Sequence, residues 1–469
     1  MKGSFQEPEP LVRRQVLLLD PIPPTAAALA ADRPGKSPTL MTRKLDNRPA
    51  VSSKPGLLGA LGPGLITGAS NDDPSSIATY SQTGAQFGYL PTWALLVSFP
   101  LMVSVQIVSA RLGRATGRGI AGNLRKHYPV WLAYGCVSLL LIANTINLGA
   151  DIGAMADAVR VIIGGPQLGY VLFFGCFCVI MPVYIPYRRY VNVLKTLSFA
   201  VLAYVATFFM VEVDWRALAS GALLPHIALE KDYLVAIVAI FGTAISPYLF
   251  FWQSSQEVED IRTIADRKPL VQAPEQAQNA NSRITQDTLV GMGVSNIVAL
   301  AIMVTAAATL HVSGVTTVQS SAQAAEALKP MAGFMAGTIF ALGIVGTGLM
   351  AVPALAGSAA YAVGETLHWP TGLDRKPRQA KAFYGTIAVA TAVGIVLNFS
   401  PVSPIEALYW SAVINGVAAV PILAVMMLMS SDRRVMGDAP IGPWLKLLGW
   451  ISTAVMGLVA SAMILAMLL

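Results

Sequence analysis

Apolar stretches of about 20 residues recur along the chain from residue 57 onward, separated by short polar segments. A stretch of this length crosses the hydrocarbon core of a bilayer as a helix, because a helix satisfies its own backbone hydrogen bonds. We predict an all-α polytopic membrane protein with about 11 transmembrane helices, at residues 57–88, 91–110, 130–152, 168–186, 191–211, 233–254, 287–310, 331–354, 382–399, 406–429 and 443–468.

The composition and the placement of charge agree with this pattern. Only 12% of the residues are charged and 55% are hydrophobic, whereas soluble domains carry roughly 25% charged residues. The net charge of +7 does not indicate a nucleic-acid partner, because the basic residues concentrate in alternate loops, at 111–126, 187–195, 259–283, 373–381 and 431–434. Since basic loops resist translocation, we expect a multi-pass protein of the plasma (inner) membrane with a cytoplasmic N-terminus.

Residues 1–50 are rich in proline and charge and lack hydrophobic periodicity, which is typical of a disordered segment. We expect a disordered cytoplasmic tail there and a transmembrane domain in the lipid bilayer over residues 51–469. The predicted spans contain no nucleophile–base pair, phosphate-binding loop or zinc-protease motif, so we expect neither an enzyme nor a bound cofactor. The sequence does not indicate protein partners.

Two of the predicted spans are interrupted. The first contains GASNDDPSSIATY, residues 68–80, and the sixth contains AISPY, residues 244–248. Five spans separate the two breaks, and because five is odd, the second half of the protein must run inverted relative to the first. Interrupted spans at corresponding positions of two halves indicate the binding site of a transporter.

The first break carries two adjacent carboxylates, Asp72 and Asp73. A charged residue at this depth costs about 2.5–3.5 kcal/mol on insertion scales and therefore suggests a function. Unwound turns expose carbonyl oxygens, and together with a carboxylate they favour a cation. The alternative interpretation, a helix N-cap before Pro74 in a water-filled vestibule, is compatible with ion binding.

The run GPGLITGASNDDPSSIATYSQTGAQFGY resembles the first helix of the NRAMP divalent-metal transporters, whose motif is Asp-Pro-Gly-Asn followed by a similar tail. ARLGRATGRGIAGNLRKHYP resembles the family's loop after helix 2, and SDRRVMG resembles its loop after helix 10. The resemblance implies a leucine-transporter-type fold with broken helices 1 and 6. Its two inverted five-helix repeats would cover about 55–213 and about 230–430, with an extra helix at 443–468.

Carried over residue by residue, the resemblance implies a site for a transported divalent cation. Asp73 matches the metal-binding aspartate, Ser76 the motif's asparagine, and Ser246 a methionine ligand of helix 6. Ser70 and Thr243 would contribute backbone carbonyl oxygens. The implied ligands are Asp73, Ser76, Ser70, Thr243 and Ser246, with Asp72, Tyr248, Asp151 and Asn415 as accessory residues.

The loss of the methionine bears on the choice of metal. A thioether suits soft transition metals, whereas oxygen ligands suit Mg²⁺, Ca²⁺ and Mn²⁺. Ser246 leaves an all-oxygen site, which favours a partly hydrated Mg²⁺, with Mn²⁺ close behind. The NRAMP-related magnesium transporters also lack that methionine, and this protein is similar to that branch in this trait.

Proton coupling is the second departure from the family pattern. Coupled members carry histidines on helix 6 and an Asp/Glu pair on helix 3. Here helix 6 has Tyr248 and Gln253, and helix 3 keeps Asp151 but has Ala154. We expect uncoupled import, because the membrane potential contributes about 2.3 kcal/mol per charge per 100 mV. A proton relay through Asp151 is the alternative.

Together these features predict a secondary transporter that imports a hard divalent cation by alternating access. The alternative within the family is a proton-coupled Mn²⁺/Fe²⁺ symporter, and the alternatives of other classes are an amino-acid symporter and a metal-sensing membrane receptor. Asn144 and Asn147 share a face of helix 3 and are expected to bond neighbouring helices, with pathway lining as the alternative. Glu257 and Glu259 are expected at a solvated helix end.

Overall fold

The computed structural model describes residues 67–68, 70–184 and 202–469. Within these ranges the regular elements are helices. Residues 1–50 lie outside the described residues, so the disordered tail stays a prediction.

The first half of the molecule contains a helical turn at 67–71, in which residue 69 is not described, followed by six helices. These are α1 (Pro74–Phe87), α2 (Thr92–Thr116), α3 (Ile120–His127), α4 (Val130–Ile163), α5 (Gln167–Tyr184) and α6 (Leu202–Phe208). A connecting helix, α7 (Trp215–Leu223), leads to the second half.

The second half contains the helices α8 (Lys231–Ala244), α9 (Pro247–Thr263), α10 (Ala277–Ala306), α11 (Ser321–Glu326), α12 (Lys329–Ala332), α13 (Ala336–Thr366), α14 (Lys381–Leu397) and α15 (Pro404–Ser431). The last two helices are α16 (Arg433–Met436) and α17 (Pro443–Leu468). Short turns of 3-10 or π-helix flank α10 and precede α13, at Pro274–Gln276, Ala307–His311 and Gly333–Met335.

Seven helical segments in the described part of the protein are long and apolar enough to cross a membrane. They are Thr92–Thr116, Val130–Ile163, Lys231–Thr263, Pro274–His311, Lys329–Thr366, Pro404–Ser431 and Pro443–Leu468, with two shorter apolar helices at Gln167–Met181 and Lys381–Leu397. All nine coincide with predicted spans, and the first, fourth and fifth predicted spans lie partly outside the described residues. Helix α4 continues to Ile163, beyond its predicted end at 152, because polar residues in its last turns do not stop a helix.

The packing is that of the predicted leucine-transporter-type fold, with spans one and six broken and equivalent helices of the two halves meeting. The long third helices of each half, α4 and α13, make the most extensive contact of any described pair. Helix α8 packs on α15, α9 on α2, and α10 on both α1 and α2. The two breaks therefore lie between helices of both halves.

Glycines let backbones touch beside both breaks. A Cβ at Gly416 of α15 would lie 2.8 Å from the carbonyl oxygen of Val238 and 3.2 Å from the Cα of Gly242, so α8 and α15 are in backbone contact. On the other side, a Cβ at Gly68 would collide with the backbone of Gly291 in α10. These contacts fix the height of each break relative to its neighbouring helix.

The expectation that Glu257 and Glu259 lie at a solvated helix end is wrong. The Glu257 carboxylate is 1% exposed and forms an ion pair with Arg283 of α10 at 2.6 Å. Glu259 accepts a hydrogen bond of 2.7 Å from the Tyr361 hydroxyl of α13. The end of α9 is covered by these two neighbours, which the sequence of α9 alone does not reveal.

Candidate metal site at the two helix breaks

The first break separates a helical turn that ends at Asn71 from helix α1. Asp73 is extended and caps α1, accepting a hydrogen bond of 2.8 Å from the backbone N–H of Ser76. Pro74 occupies the first helical position, where its missing N–H costs nothing and its fixed φ suits the helix. The Asp-Pro pair therefore begins a new helix in the interior of the protein.

The two oxygens of the Asp73 carboxylate have different surroundings, and this residue is 2% exposed. Oδ1 accepts hydrogen bonds from the Ser75 hydroxyl at 2.6 Å and the Ser76 hydroxyl at 2.9 Å, besides the Ser76 N–H. Oδ2 has longer contacts, 3.2 Å to Nδ2 of Asn147 and 3.4 Å to the Tyr248 hydroxyl. Oδ2 is therefore the oxygen that is more weakly held and more available to a ligand.

The second break has a similar backbone and a different cap. Helix α8 ends before Ile245, Ser246 is extended, and Pro247 begins α9. The Ser246 hydroxyl does not cap α9 but turns back to α8, donating to the carbonyl oxygens of Gly242 at 2.7 Å and Thr243 at 3.1 Å. It satisfies carbonyls that the end of a helix leaves without partners.

Hydroxyl groups join the two breaks directly. The Ser76 and Thr243 hydroxyls are 2.9 Å apart, and the Tyr248 hydroxyl donates to the backbone oxygen of Ser70 at 2.7 Å. The structure thus brings the implied ligands into one buried region, in which each is at most 3% exposed: Ser70, Asp73, Ser76, Thr243 and Ser246.

The neighbouring carboxylate of Asp72 points elsewhere. Its Oδ1 accepts a hydrogen bond of 2.7 Å from the Ser295 hydroxyl on α10, and the same hydroxyl accepts one of 2.8 Å from Nδ2 of Asn71. Asp72 is half-buried, whereas Asp73 is fully buried. The two acids of the first break therefore serve different contacts.

Two other accessory residues have no hydrogen bond to Asp73. Asp151 on α4 and Asn415 on α15 are both 0% exposed. Among the described residues, neither carboxylate oxygen of Asp151 and neither amide atom of Asn415 has a hydrogen-bond partner. Both are therefore buried polar side chains close to the broken helices, with their hydrogen-bonding capacity unused within the described residues.

The comparison with known proteins identifies the family. The sequence profile of a family described as natural resistance-associated macrophage protein-like (Nramp) matches residues 64–466. The protein belongs to the Nramp family. A Klebsiella pneumoniae (strain 342) relative, the divalent metal cation transporter MntH, is 26% identical over 430 residues, which cover 89% of this sequence and 96% of that protein.

Solved structures share the fold. A manganese transporter from Eremococcus coleocola, in complex with an aromatic bis-isothiourea compound, matches with a TM-score of 0.64 and 18% identity, over 86% of this protein and 85% of that transporter. MhsT in complex with L-phenylalanine matches with a TM-score of 0.56 and 12% identity, over 86% of this protein and 98% of MhsT. MhsT, a protein crystallised with an amino acid, therefore has a fold similar to that of this Nramp-family protein.

Asn147 and Ser411 lie beside the break, and neither was predicted as a site residue. Asn147, one turn before Asp151 on α4, contacts Asp73, and its Oδ1 accepts a hydrogen bond of 2.6 Å from the Ser411 hydroxyl of α15. Asn144, by contrast, bonds the neighbouring helix α13, as interhelical bonding predicts. A signal for Asn147 was available in the sequence, because it shares a helix face with Asn144 and pathway lining was the alternative interpretation. There was no such signal for Ser411, which is a lone serine in an apolar helix.

The chemistry around the Nramp-family break is that of oxygen and amide groups. The side chains in contact with Asp73 carry hydroxyls and a carboxamide. In the described ranges, no three His, Cys, Asp or Glu residues form a group that could hold a metal ion. The break therefore offers one carboxylate surrounded by neutral hard donors.

Proposed function

We propose that this Nramp-family protein imports divalent metal cations across the plasma (inner) membrane by alternating access, with Asp73 as the binding carboxylate. One observation carries the proposal: Asp73 is buried where the two helix breaks meet, and its Oδ2 is only weakly held by neighbouring helices. The names of its relatives, a divalent metal cation transporter and a manganese transporter, support the same substrate class.

The proposed ion is hard and partly hydrated, Mg²⁺ before Mn²⁺. The carbonyl oxygens of Ser70 and Thr243 already accept hydrogen bonds from the Tyr248 and Ser246 hydroxyls. Each carbonyl keeps one lone pair. These carbonyl oxygens and the neighbouring hydroxyls can therefore form hydrogen bonds with the water molecules around a hydrated ion. Mg²⁺ dehydrates reluctantly and is commonly held by one or two carboxylates with several waters. Ser246, where the family resemblance places methionine, supplies no soft sulfur ligand.

Import is proposed to run without protons, from the cell exterior toward the cytoplasmic N-terminus. The groups that contact Asp73 belong to Ser75, Ser76, Asn147 and Tyr248, and none of these residues ordinarily titrates near neutral pH. For a divalent ion the membrane potential supplies about 4.6 kcal/mol per 100 mV, twice the value for one charge. That driving force draws the ion inward without a second gradient.

A proton-coupled Mn²⁺/Fe²⁺ symporter is the second candidate, and Asp151 favours it. This carboxyl group lies one helical turn from Asn147. It is 0% exposed and has no hydrogen-bond partner among the described residues. A buried carboxyl without partners is far less costly as the neutral acid than as the anion. Asp151 would then hold the co-transported proton while the metal occupies Asp73.

Flux measurements on the full-length protein in proteoliposomes test both candidates. We expect Mg²⁺ and Mn²⁺ influx with a constant internal pH, and we expect Asp73→Asn to reduce influx to background. Asp214→Asn is the matched control, because Asp214 also caps a helix, α7, that belongs to neither break, and asparagine caps about as well as aspartate.

Each outcome of this experiment has a distinct meaning. Wild-type influx accompanied by internal acidification selects the proton-coupled symporter. Binding without flux indicates a metal-sensing receptor, and influx of an amino acid that is indifferent to divalent ions indicates an amino-acid symporter. Wild-type influx in Asp73→Asn would remove Asp73 from the site.

A further inference from the structure

Asn147 links the Asp73 carboxylate to helix α15. Its Nδ2 donates to Oδ2 of Asp73 at 3.2 Å, and its Oδ1 accepts a hydrogen bond of 2.6 Å from the Ser411 hydroxyl. Asn147 and Ser411 are both 0% exposed, so both side chains are enclosed by the protein. The carboxamide is therefore held at both ends, by a carboxylate on one side and a hydroxyl on the other.

The orientation of this carboxamide follows from what each neighbour accepts. A carboxylate oxygen only accepts, so the amide turns its N–H₂ toward Asp73, and the Ser411 hydroxyl donates to the remaining oxygen. The Ser411 hydroxyl also lies 2.7 Å from the carbonyl oxygen of Leu408. One hydroxyl proton thus faces two acceptors, Oδ1 of Asn147 and the Leu408 carbonyl.

A divalent cation on Oδ2 of Asp73 would reverse the preference of the amide. The positive N–H₂ of Asn147 would then face a positive ion, whereas its oxygen is a good ligand for a hard cation. Turning the carboxamide by half a rotation directs Oδ1 to the ion and Nδ2 to Ser411. The Ser411 hydroxyl then accepts from Nδ2 and gives its proton to Leu408, so every polar group keeps a partner.

We propose that Asn147 is a further ligand of the transported cation, through an amide reversal that Ser411 makes possible. This inference rests on the proposed function, since it assumes that the cation binds at Asp73. Toward Asn147, the reversal changes Ser411 from donor to acceptor. The hydrogen bonds of α15, which packs against α8, therefore change when the cation binds. Ser411 is a positioning residue, because it acts only through Asn147.

Substitutions at Asn147 separate a ligand from a mere hydrogen-bond donor. The full-length protein in nanodiscs is titrated calorimetrically with Mg²⁺ and with Mn²⁺ at one fixed pH for all variants. If Asn147 binds through its oxygen, Asn147→Asp binds at least as tightly as the wild type, and Asn147→Ala binds roughly tenfold more weakly. If Asn147 only donates to Asp73, its hydrogen bond competes with the ion for Oδ2, so Asn147→Ala binds at least as tightly as the wild type.

Asn144→Ala is the matched control for loss of a buried asparagine from α4. Nδ2 of Asn144 donates to the Leu355 carbonyl at 2.9 Å and the Ser358 hydroxyl at 2.8 Å, and makes no bond to Asp73. Its removal is expected to change the Kd for either ion less than twofold, even where it lowers the yield of folded protein. A tenfold loss in Asn144→Ala would mean that α4 packing, not a ligand, is being measured.

Infrared difference spectroscopy reports the reversal itself. With isotope-labelled asparagine, addition of Mg²⁺ is expected to shift a carboxamide stretching band in the wild type and in Asn144→Ala but not in Asn147→Ala. In Ser411→Ala the shift is expected to be reduced, because Nδ2 loses its acceptor. Absence of the shift in the ion-bound wild type would overturn the inference.

The failures of the two proposals are distinguishable. If Asp73→Asn loses binding while Asn147→Ala and Asn147→Asp bind like Asn144→Ala, only the role of Asn147 is wrong. If the wild type binds neither Mg²⁺ nor Mn²⁺, or if Asp73→Asn binds them unchanged, the proposed function itself fails.

Discussion

The two helix breaks share a backbone and differ in the direction of their cap side chains. In each, an extended residue follows the end of one helix and a proline begins the next: Asp73 before Pro74, and Ser246 before Pro247. The Asp73 carboxylate reaches forward to the Ser76 N–H of α1, whereas the Ser246 hydroxyl reaches back to carbonyls of α8.

This difference has an electrostatic reason. The N-terminus of a helix presents N–H donors and partial positive charge, so a carboxylate is stabilised there. The C-terminus presents carbonyl acceptors, which a hydroxyl proton satisfies and a carboxylate would repel. An inverted repeat therefore gives the same backbone twice, while the side chains place the charge in the first break and neutral oxygens in the second.

Exchanging the caps is the most severe test of this comparison. We expect Asp73→Ser to reduce divalent cation influx to background, and we expect the double variant Asp73→Ser/Ser246→Asp to remain there. A carboxylate at position 246 would face the carbonyls of Gly242 and Thr243 at the negative end of α8 instead of N–H donors. Mg²⁺ and Mn²⁺ influx into proteoliposomes measures both variants.

Ser246→Asp alone is the control for damage at the second break. If it folds and retains influx, the double variant reports only on the position of the charge. Influx in the double variant above that of Asp73→Ser would show that either break can hold the carboxylate. The electrostatic reason given for the difference between the breaks would then be wrong.

The positions of both breaks could be predicted from sequence, whereas the directions of their side chains could not. Proline and small polar residues in apolar spans mark the breaks, and both breaks fall inside the predicted stretches, residues 68–80 and 244–248. Asp72 and Asp73, however, are adjacent and chemically identical. Which of them turns inward depends on Ser295, which comes from a helix more than 200 residues away and binds Asp72.

The contact between α4 and Asp73 shows the same limit. Asn147 and Asp151 are four residues apart and therefore lie on the same face of α4. The sequence does not predict how high α4 stands against the break, and a shift of one turn, about 5.4 Å, decides which residue reaches Asp73. Packing between α4 and α13 sets that height, and Asn147 is the residue in contact.

Placing a soft ligand in the second break tests the same comparison, with a smaller expected effect on influx. We expect Ser246→Met to shift preference from Mg²⁺ toward Mn²⁺ and Cd²⁺ severalfold, because a thioether binds soft ions and the change also frees the carbonyls of Gly242 and Thr243. Competition of each metal against Mg²⁺ uptake measures the shift. Ser246→Leu is the control, since it has a similar size and no sulfur. An unchanged ratio in Ser246→Met, or the same shift in both variants, would contradict the argument from ligand softness.

The smallest expected effect comes from the hydroxyl that bridges the breaks. Tyr248→Phe removes the 2.7 Å hydrogen bond to the Ser70 carbonyl and the longer contact to Asp73. The net value of such a bond is about 0.5–1.5 kcal/mol, so we expect Mg²⁺ affinity to fall roughly two- to tenfold. Tyr233→Phe is the matched control, because Tyr233 also donates to a backbone carbonyl, that of His226 at 2.8 Å, away from the breaks.

The direction of the effect on a second ion decides what the Tyr248 hydroxyl does. If it holds the water shell of the ion, Tyr248→Phe should weaken Mg²⁺ more than Mn²⁺, because the freed Ser70 carbonyl becomes a direct ligand that only a less strongly hydrated ion can exploit. If both ions lose affinity equally, the hydroxyl acts through the position of Ser70 alone. The hydrated-ion argument would then rest on Ser246, while Asp73 would keep its place as the charge of the first break.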